Sequence, residues 1–191
     1  MENLMIDLEA LGKDMIVQIG AAYFDWEGNV GSKLLINVDL HSLIEIGASF
    51  GYGEIKFWLE HANQITWLDN TVHIKNAWKE LKRFCKDAKE VWSHYYDVML
   101  LERTAELLES KMPFHFRRWR DIRTLTSLGM QLGLYKYKRK KGEDPKNHNA
   151  LDDAIYQIEY VTKVYRKMEG RIKMNLTEED IKREECSCQF Y

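Results

Sequence analysis

The sequence predicts an α/β protein: a mixed five-stranded sheet whose first three strands form an antiparallel meander, with helices on both faces. Three observations predict it. The chain opens with three apolar runs, at residues 3–9, 15–25 and 32–39, joined by connections short enough only for antiparallel neighbours. From residue 71 onward, apolar positions at helical spacing alternate with short β-type runs. Over 191 residues the composition is 45% hydrophobic and 30% charged with two prolines, so residues 1–170 are expected to form one domain and residues 171–191 a charged tail.

Taken in order, NLMIDLE is apolar enough for a central strand, and MIVQIGAAYFD follows it. Residues 26–29 make the turn into SKLLINVD. Residues 41–71 read less cleanly, as a glycine-bearing stretch and then FWLEHANQITWL, helical in part. Residues 71–88 place Val72, Ile74, Ala77, Trp78, Leu81, Phe84 and Cys85 near helical spacing and predict an amphipathic helix. EVWSHYY, residues 90–96, predicts a buried strand, and Asp97 opens a helical pattern that Pro113 ends. FHFRRW predicts a fifth strand, residues 121–132 a short helix, and KYKRKKGEDPKN an exposed loop. Residues 150–168 predict a long helix with Ile155, Ile158, Val161 and Tyr165 on its apolar side, and residues 177–180 are a candidate helix start in the tail.

Several classes are excluded. No apolar run reaches the roughly 18 residues a membrane span needs. The N-terminal MENLMIDLEALGKD carries acids where a signal peptide carries cations. Three cysteines, with Cys186 and Cys188 in the last six residues, make no disulfide framework. A soluble, cytoplasmic protein with no membrane partner is expected. Net charge is -2, so any attraction for a polyanion must come from local patches. YKYKRKK at residues 135–141 is one patch; Arg117, Arg118, Arg120 and Arg123 around Trp119 are another. Each is either a solvated edge or part of a single-stranded nucleic-acid groove, where cations hold phosphates and rings stack on bases.

Asp7 and Glu9 lie two apart on the first strand and therefore on one face. Buried together they would repel and lose solvation, so a cation is expected between them, most simply a divalent metal. The alternative is an edge strand whose polar face meets water. Asp97 stands where aspartate is a favoured helix cap, a role compatible with facing a metal. His148, in NHNALDDA, is either a surface loop histidine or a site residue. Asn149 is placed to cap the last helix and Asp152 to complement its dipole, whereas Asp153 has no such structural role.

Together, Asp7-Leu8-Glu9, the Asp97 that ends VWSHYYD, and His148-Asn149-Ala150-Leu151-Asp152-Asp153 resemble the three motifs of the DEDDh 3′→5′ exonucleases. That group has the ribonuclease H-like fold and includes polymerase proofreading subunits, oligoribonuclease and ribonuclease T. The resemblance spans residues 4–158 and is nearest to the compact stand-alone exonucleases of bacteriophages and bacteria. Arg120-Asp121-Ile122-Arg123-Thr124-Leu125 resembles a segment of that subgroup, and Ile55-Lys56-Phe57-Trp58 its aromatic substrate-facing segment, with Phe-Trp where a Trp pair is typical. The glycine-rich residues 47–53 have no counterpart.

The resemblance implies hydrolysis of the terminal phosphodiester with two divalent metal ions, Mg²⁺ or Mn²⁺, as cofactors. It implies that Asp7 bridges both, that Glu9 and Asp153 complete the site of the attacking water, and that Asp97 supports the second metal. His148 would take the water's proton, swinging in from its loop. The motif spacing selects Asp153 rather than Asp152. Ala10, Leu11 (as an apolar wedge), Gly12, Trp58, Arg120 and Arg123 are expected to contact substrate, and Lys138 and Arg139 to hold its backbone. The expected partner is single-stranded or 3′-overhang DNA or RNA, cleaved to nucleoside monophosphates, and a homodimer is among the assemblies relatives adopt. Three alternatives compete: a non-catalytic nucleic-acid-binding module of the same fold, a hydrolase of short oligonucleotides or dinucleotides, and a zinc protein. The last would rest on Cys186, Cys188 and six histidines whose scatter shows no ligand spacing.

Overall fold

Alternation of side chains along the first strand divides the molecule into two cores. The structure, a computed structural model, describes residues 1–134 and 148–175. Strands β1 (Asn3–Gly12), β2 (Met15–Phe24) and β3 (Val30–Asn37) form the antiparallel meander. Helices α1 (Leu40–Glu45), α2 (Tyr52–Glu60) and α3 (Ile74–Phe84) lead to β4 (Glu90–Ser93), which pairs parallel to β1. Helix α4 (Tyr95–Leu107) crosses to β5 (Trp119–Asp121), parallel to β4, and α5 (Ile122–Gln131) and α6 (Ala150–Asn175) follow. The strand order is β3-β2-β1-β4-β5. This is the mixed five-stranded α/β sheet expected from the sequence, and it is consistent with a ribonuclease H-like fold.

Leu4, Ile6 and Leu8 of β1 point into one core, with Trp78 and Leu81 of α3 and Leu101 of α4. Met5 points the other way, into a core with Ala22, Phe24, Trp92, Ile122 of α5, and Ile158 and Val161 of α6. Helices therefore cover both faces. Trp58, Trp67, Trp78 and Trp92 are buried in these cores, and Trp26 stacks on Tyr165 at 3.9 Å.

Several boundaries differ from the expected ones. β4 stops at Ser93, and the tyrosines that read as strand begin α4 instead. The fifth strand is only Trp119–Asp121, because Phe116–Arg118 forms a 3-10 turn. α4 ends at Leu107, well before Pro113, with Glu109 in the left-handed region at φ 47. α6 continues through Gly170 to Asn175, past the expected domain boundary, since one glycine in an exposed helix costs only about 1 kcal/mol. The YKYKRKK segment with Lys138 and Arg139, Cys186, Cys188 and the tail beyond Asn175 lie outside the described residues. No described helix is long and apolar enough to cross a membrane.

Candidate active site

The site forms where β1 outruns its parallel neighbour. Pairing of β1 with β4 ends at Met5↔Trp92, so Asp7, two residues on, lies beside the turn from β4 into α4. Crevices beyond strand ends are where open α/β sheets place ligands. β1 continues alone against β2, with Asp7 opposite Gly20 and Glu9 opposite Gln18, and its register shifts just after Glu9.

Asp97 enters from the first turn of α4. Its expected role as the cap is corrected: the N-cap is His94, and Asp97, three residues in, accepts the His94 backbone N–H at 3.0 Å. Only 4% of Asp97 is exposed.

The remaining groups are brought in by α6, which three residues dock on the sheet. Gly20 leaves room that a Cβ would fill by colliding with the Ala150 backbone. Gln18, fully buried, accepts the Ala150 N–H at 2.8 Å and donates to Asn37 Oδ1 at 2.8 Å. Gln157, two turns into the helix, donates its amide to Asp7 Oδ1. Asn149 caps α6 as expected, accepting from Leu151 and Asp152 N–H at 3.1 and 3.3 Å. Polar atoms of Glu9, His148 and Asp153 consequently all lie within 4.8 Å of one another, whereas Asp152 is exposed. Sequence reasoning missed Gln18, Gly20 and Gln157. The available signals were a polar residue inside an apolar strand and a glutamine four residues after Asp153, on the same helix face.

His148 is no free loop residue. Its ring stands edge-on to those of Phe57 at 4.8 Å, His61 at 5.6 Å and Trp58 at 5.8 Å.

Crowding and burial shift all four carboxylates upward. Loss of water raises Asp7 well above the usual range, and Asp97, Glu9 and Asp153 add to that, with the Gln157 hydrogen bond opposing them. Glu9 is pushed up to about 8 by burial and then by Asp153 and Asp97. Asp97 rises to about 7 through burial, against the His94 hydrogen bond and Arg123. Asp153 rises to about 6 through burial and Asp152. Among the described residues, the exposed Arg123 guanidinium opposes the rise of Asp97 without cancelling it. Four mutually repelling, largely buried carboxylates beside one imidazole, an oxygen-rich donor set, fit hard divalent cations such as Mg²⁺ or Mn²⁺.

Beside Glu9 lies a cavity of about 340 Å³ walled by Ala10, Glu54, Phe57, Trp58 and Tyr96. Trp58 Nε1 donates to Ala10 O at 3.1 Å, and Tyr96 Oη donates to Glu54 at 3.0 Å. Three expected substrate contacts are placed otherwise. Leu11 is 5% exposed and packs in the core, so its side chain is no wedge. Gly12 is covered by the backbone of residues 49–51, where Gly51 N–H donates to Leu11 O at 2.7 Å. At Gly12 chain lies directly on chain, and Gly47 of the glycine-rich segment takes a positive φ of 87. Arg120 pairs with Glu90 at 3.0 Å, at the start of β4 and thus the far end of that strand from Asp97, and also donates to Arg117 and Trp119 carbonyls. Arg123 alone of the two stays near the acids.

No curated protein matches the sequence. The family model described as the 3′-5′ exoribonuclease Rv2179c-like domain matches residues 2–165, a span from β1 into α6 that includes Asp7, Glu9, Asp97, His148 and Asp153, and the chain therefore belongs to that 3′-5′ exonuclease family.

Proposed function

We propose that this protein is a metal-dependent 3′→5′ exonuclease that removes nucleoside monophosphates from single-stranded or 3′-overhang RNA. One observation carries the reading: polar atoms of Glu9, His148 and Asp153 lie within 4.8 Å of one another, and Asp7 and Asp97 join the same mutually repelling carboxylates, all four acids having raised proton affinity. Asp7, Glu9, Asp97 and Asp153 would hold the divalent cations. When bound, such ions clamp attacking and leaving oxygens and acidify water.

The chain's own groups do the rest. His148, within reach of Glu9 and Asp153, takes the proton of the attacking water, a contribution of roughly 10²- to 10⁴-fold. The cavity beside Glu9 seats the terminal nucleotide between Ala10 and the α2 aromatics. Arg123 supplies positive charge for a phosphate at the Asp97 side. RNA is preferred as substrate because the matching family is described as exoribonuclease. The complete set of acids weighs against a binding module that has lost catalysis.

End-labelled single-stranded and 3′-overhang RNA and DNA, incubated with Mg²⁺ or Mn²⁺ with and without EDTA, test the proposal beside the Asp153→Asn protein. Stepwise, EDTA-sensitive loss from the 3′ end, absent in the variant, is expected. Folded protein that cuts no strand would overturn it, and equal cutting of DNA would remove the RNA assignment.

A further inference from the structure

The aromatic residues of α2 do more than wall the cavity. Phe57 and His61, one helical turn apart, stack at 4.3 Å with planes 24° apart. His61 Nδ1 lies 2.8 Å from the Phe57 carbonyl oxygen, which fixes the orientation of the His61 ring. His148 meets this stack edge-on, at 84° to Phe57 and 82° to His61, and Trp58 closes a third side at 74°. Trp58 is itself tied to Ala10 O, the residue after Glu9. Edge-to-face contact is a favoured aromatic geometry, and three such contacts leave a ring few orientations. His148 belongs to no helix, yet its ring is held by side chains from an element 90 residues away in sequence, within 4.8 Å of the Glu9 and Asp153 oxygens.

We propose that Phe57 and His61 form a shelf that fixes the His148 imidazole for proton transfer, which makes His61 a positioning residue of the active site. The inference rests on His148 acting as the base in the proposed reaction. The shelf removes the need for His148 to swing in from its loop. It also ties the proton acceptor to the wall that seats the terminal nucleotide, since Phe57 belongs to both. A nucleotide seated against Phe57 thus meets an imidazole already aligned.

Steady-state cleavage of labelled RNA by His61→Ala, His61→Phe and His148→Ala variants tests this, with Mn²⁺ titration to verify that each keeps an intact acidic centre. His61→Ala is expected to lower kcat about 10- to 100-fold, the scale of a small misplacement of a reacting group, with KM nearly unchanged. His61→Phe, which retains a ring to stack on Phe57, is expected to recover most of kcat. Wild-type kcat in His61→Ala, or a change confined to KM, would overturn the proposal. So would a His61→Phe protein as impaired as His61→Ala, because imidazole chemistry rather than packing would then be at work. Should His61→Ala fail to bind Mn²⁺, the His61→Phe result alone decides. An active His148→Ala protein would instead refute the base assignment itself; an inactive one beside an unaffected His61→Ala refutes only the shelf.

Discussion

Gln157 donates its side-chain amide to Oδ1 of Asp7 across 150 residues of sequence, joining the last helix to the middle of the first strand. Both are almost wholly buried, at 5% and 9% exposure. The bond orients one of the carboxylates proposed to hold the cations, and groups that orient a metal ligand typically matter about 10- to 100-fold in affinity. Gln157→Leu should therefore weaken Mn²⁺ binding by about that factor in calorimetric titration. Unchanged affinity would show that Asp7 is held by other means.

Asp152 and Asp153 are neighbours in sequence but not in environment. Asp153 meets Glu9 and His148, while Asp152 is exposed on the first turn of α6. Cleavage should be nearly abolished in Asp153→Ala and largely retained in Asp152→Ala. The reverse pattern, read from initial rates, would mean that α6 is rotated relative to the sheet.

The raised carboxylates set the pH dependence of the metal-free fold. Unfolded, these groups titrate near 4; folded, Asp153, Asp97 and Glu9 do so at about 6, 7 and 8. Between those limits the native state binds more protons than the unfolded chain, so stability is greatest at low pH and falls as pH rises through the folded values. In EDTA, the melting temperature should decline from pH 5 to pH 8. Mg²⁺ or Mn²⁺ should raise it more at pH 8 than at pH 5. A melting temperature that climbs with pH in EDTA would contradict the acidic cluster.

Gly20 is where β2 touches the start of α6. Gly20→Ala must push the helix outward, because the obstructing atoms are backbone. The expected loss is about 1–3 kcal/mol in urea denaturation, with a fall in cleavage as Asp153 moves from Glu9. Full activity at reduced stability would show that the helix relaxes without moving its acids.

Arg120 and Arg123, both expected to contact substrate, differ in what surrounds them. Arg120 is occupied by Glu90, whereas Arg123 stands beside Asp97. Arg123→Ala should raise KM for RNA and flatten its dependence on salt, and Arg120→Ala should change neither. Equal effects would place the strand's path along β5.

The sequence by itself determined the parts of this protein that repeat locally. Strand alternation and short connections specify a meander, and helical spacing specifies α3 and α6, because side-chain period follows from backbone geometry alone. The sequence also put forward Asp7, Glu9, Asp97, His148 and Asp153 as one set, and the fold brings Glu9, His148 and Asp153 within 4.8 Å of one another. Tertiary structure decided the rest. SHYY could extend β4 or start α4, and the His94–Asp97 hydrogen bond favours the helix. Leu11 had the character of a wedge until the fold buried it, and Arg120 that of a phosphate contact until Glu90 lay beside it. Gln18 and Gln157 act on groups 132 and 150 residues away, and His148 is oriented by rings on α2. A residue's type limits what it can bind, but its partner is fixed only when folding closes the long loops between them, and no local pattern carries that information.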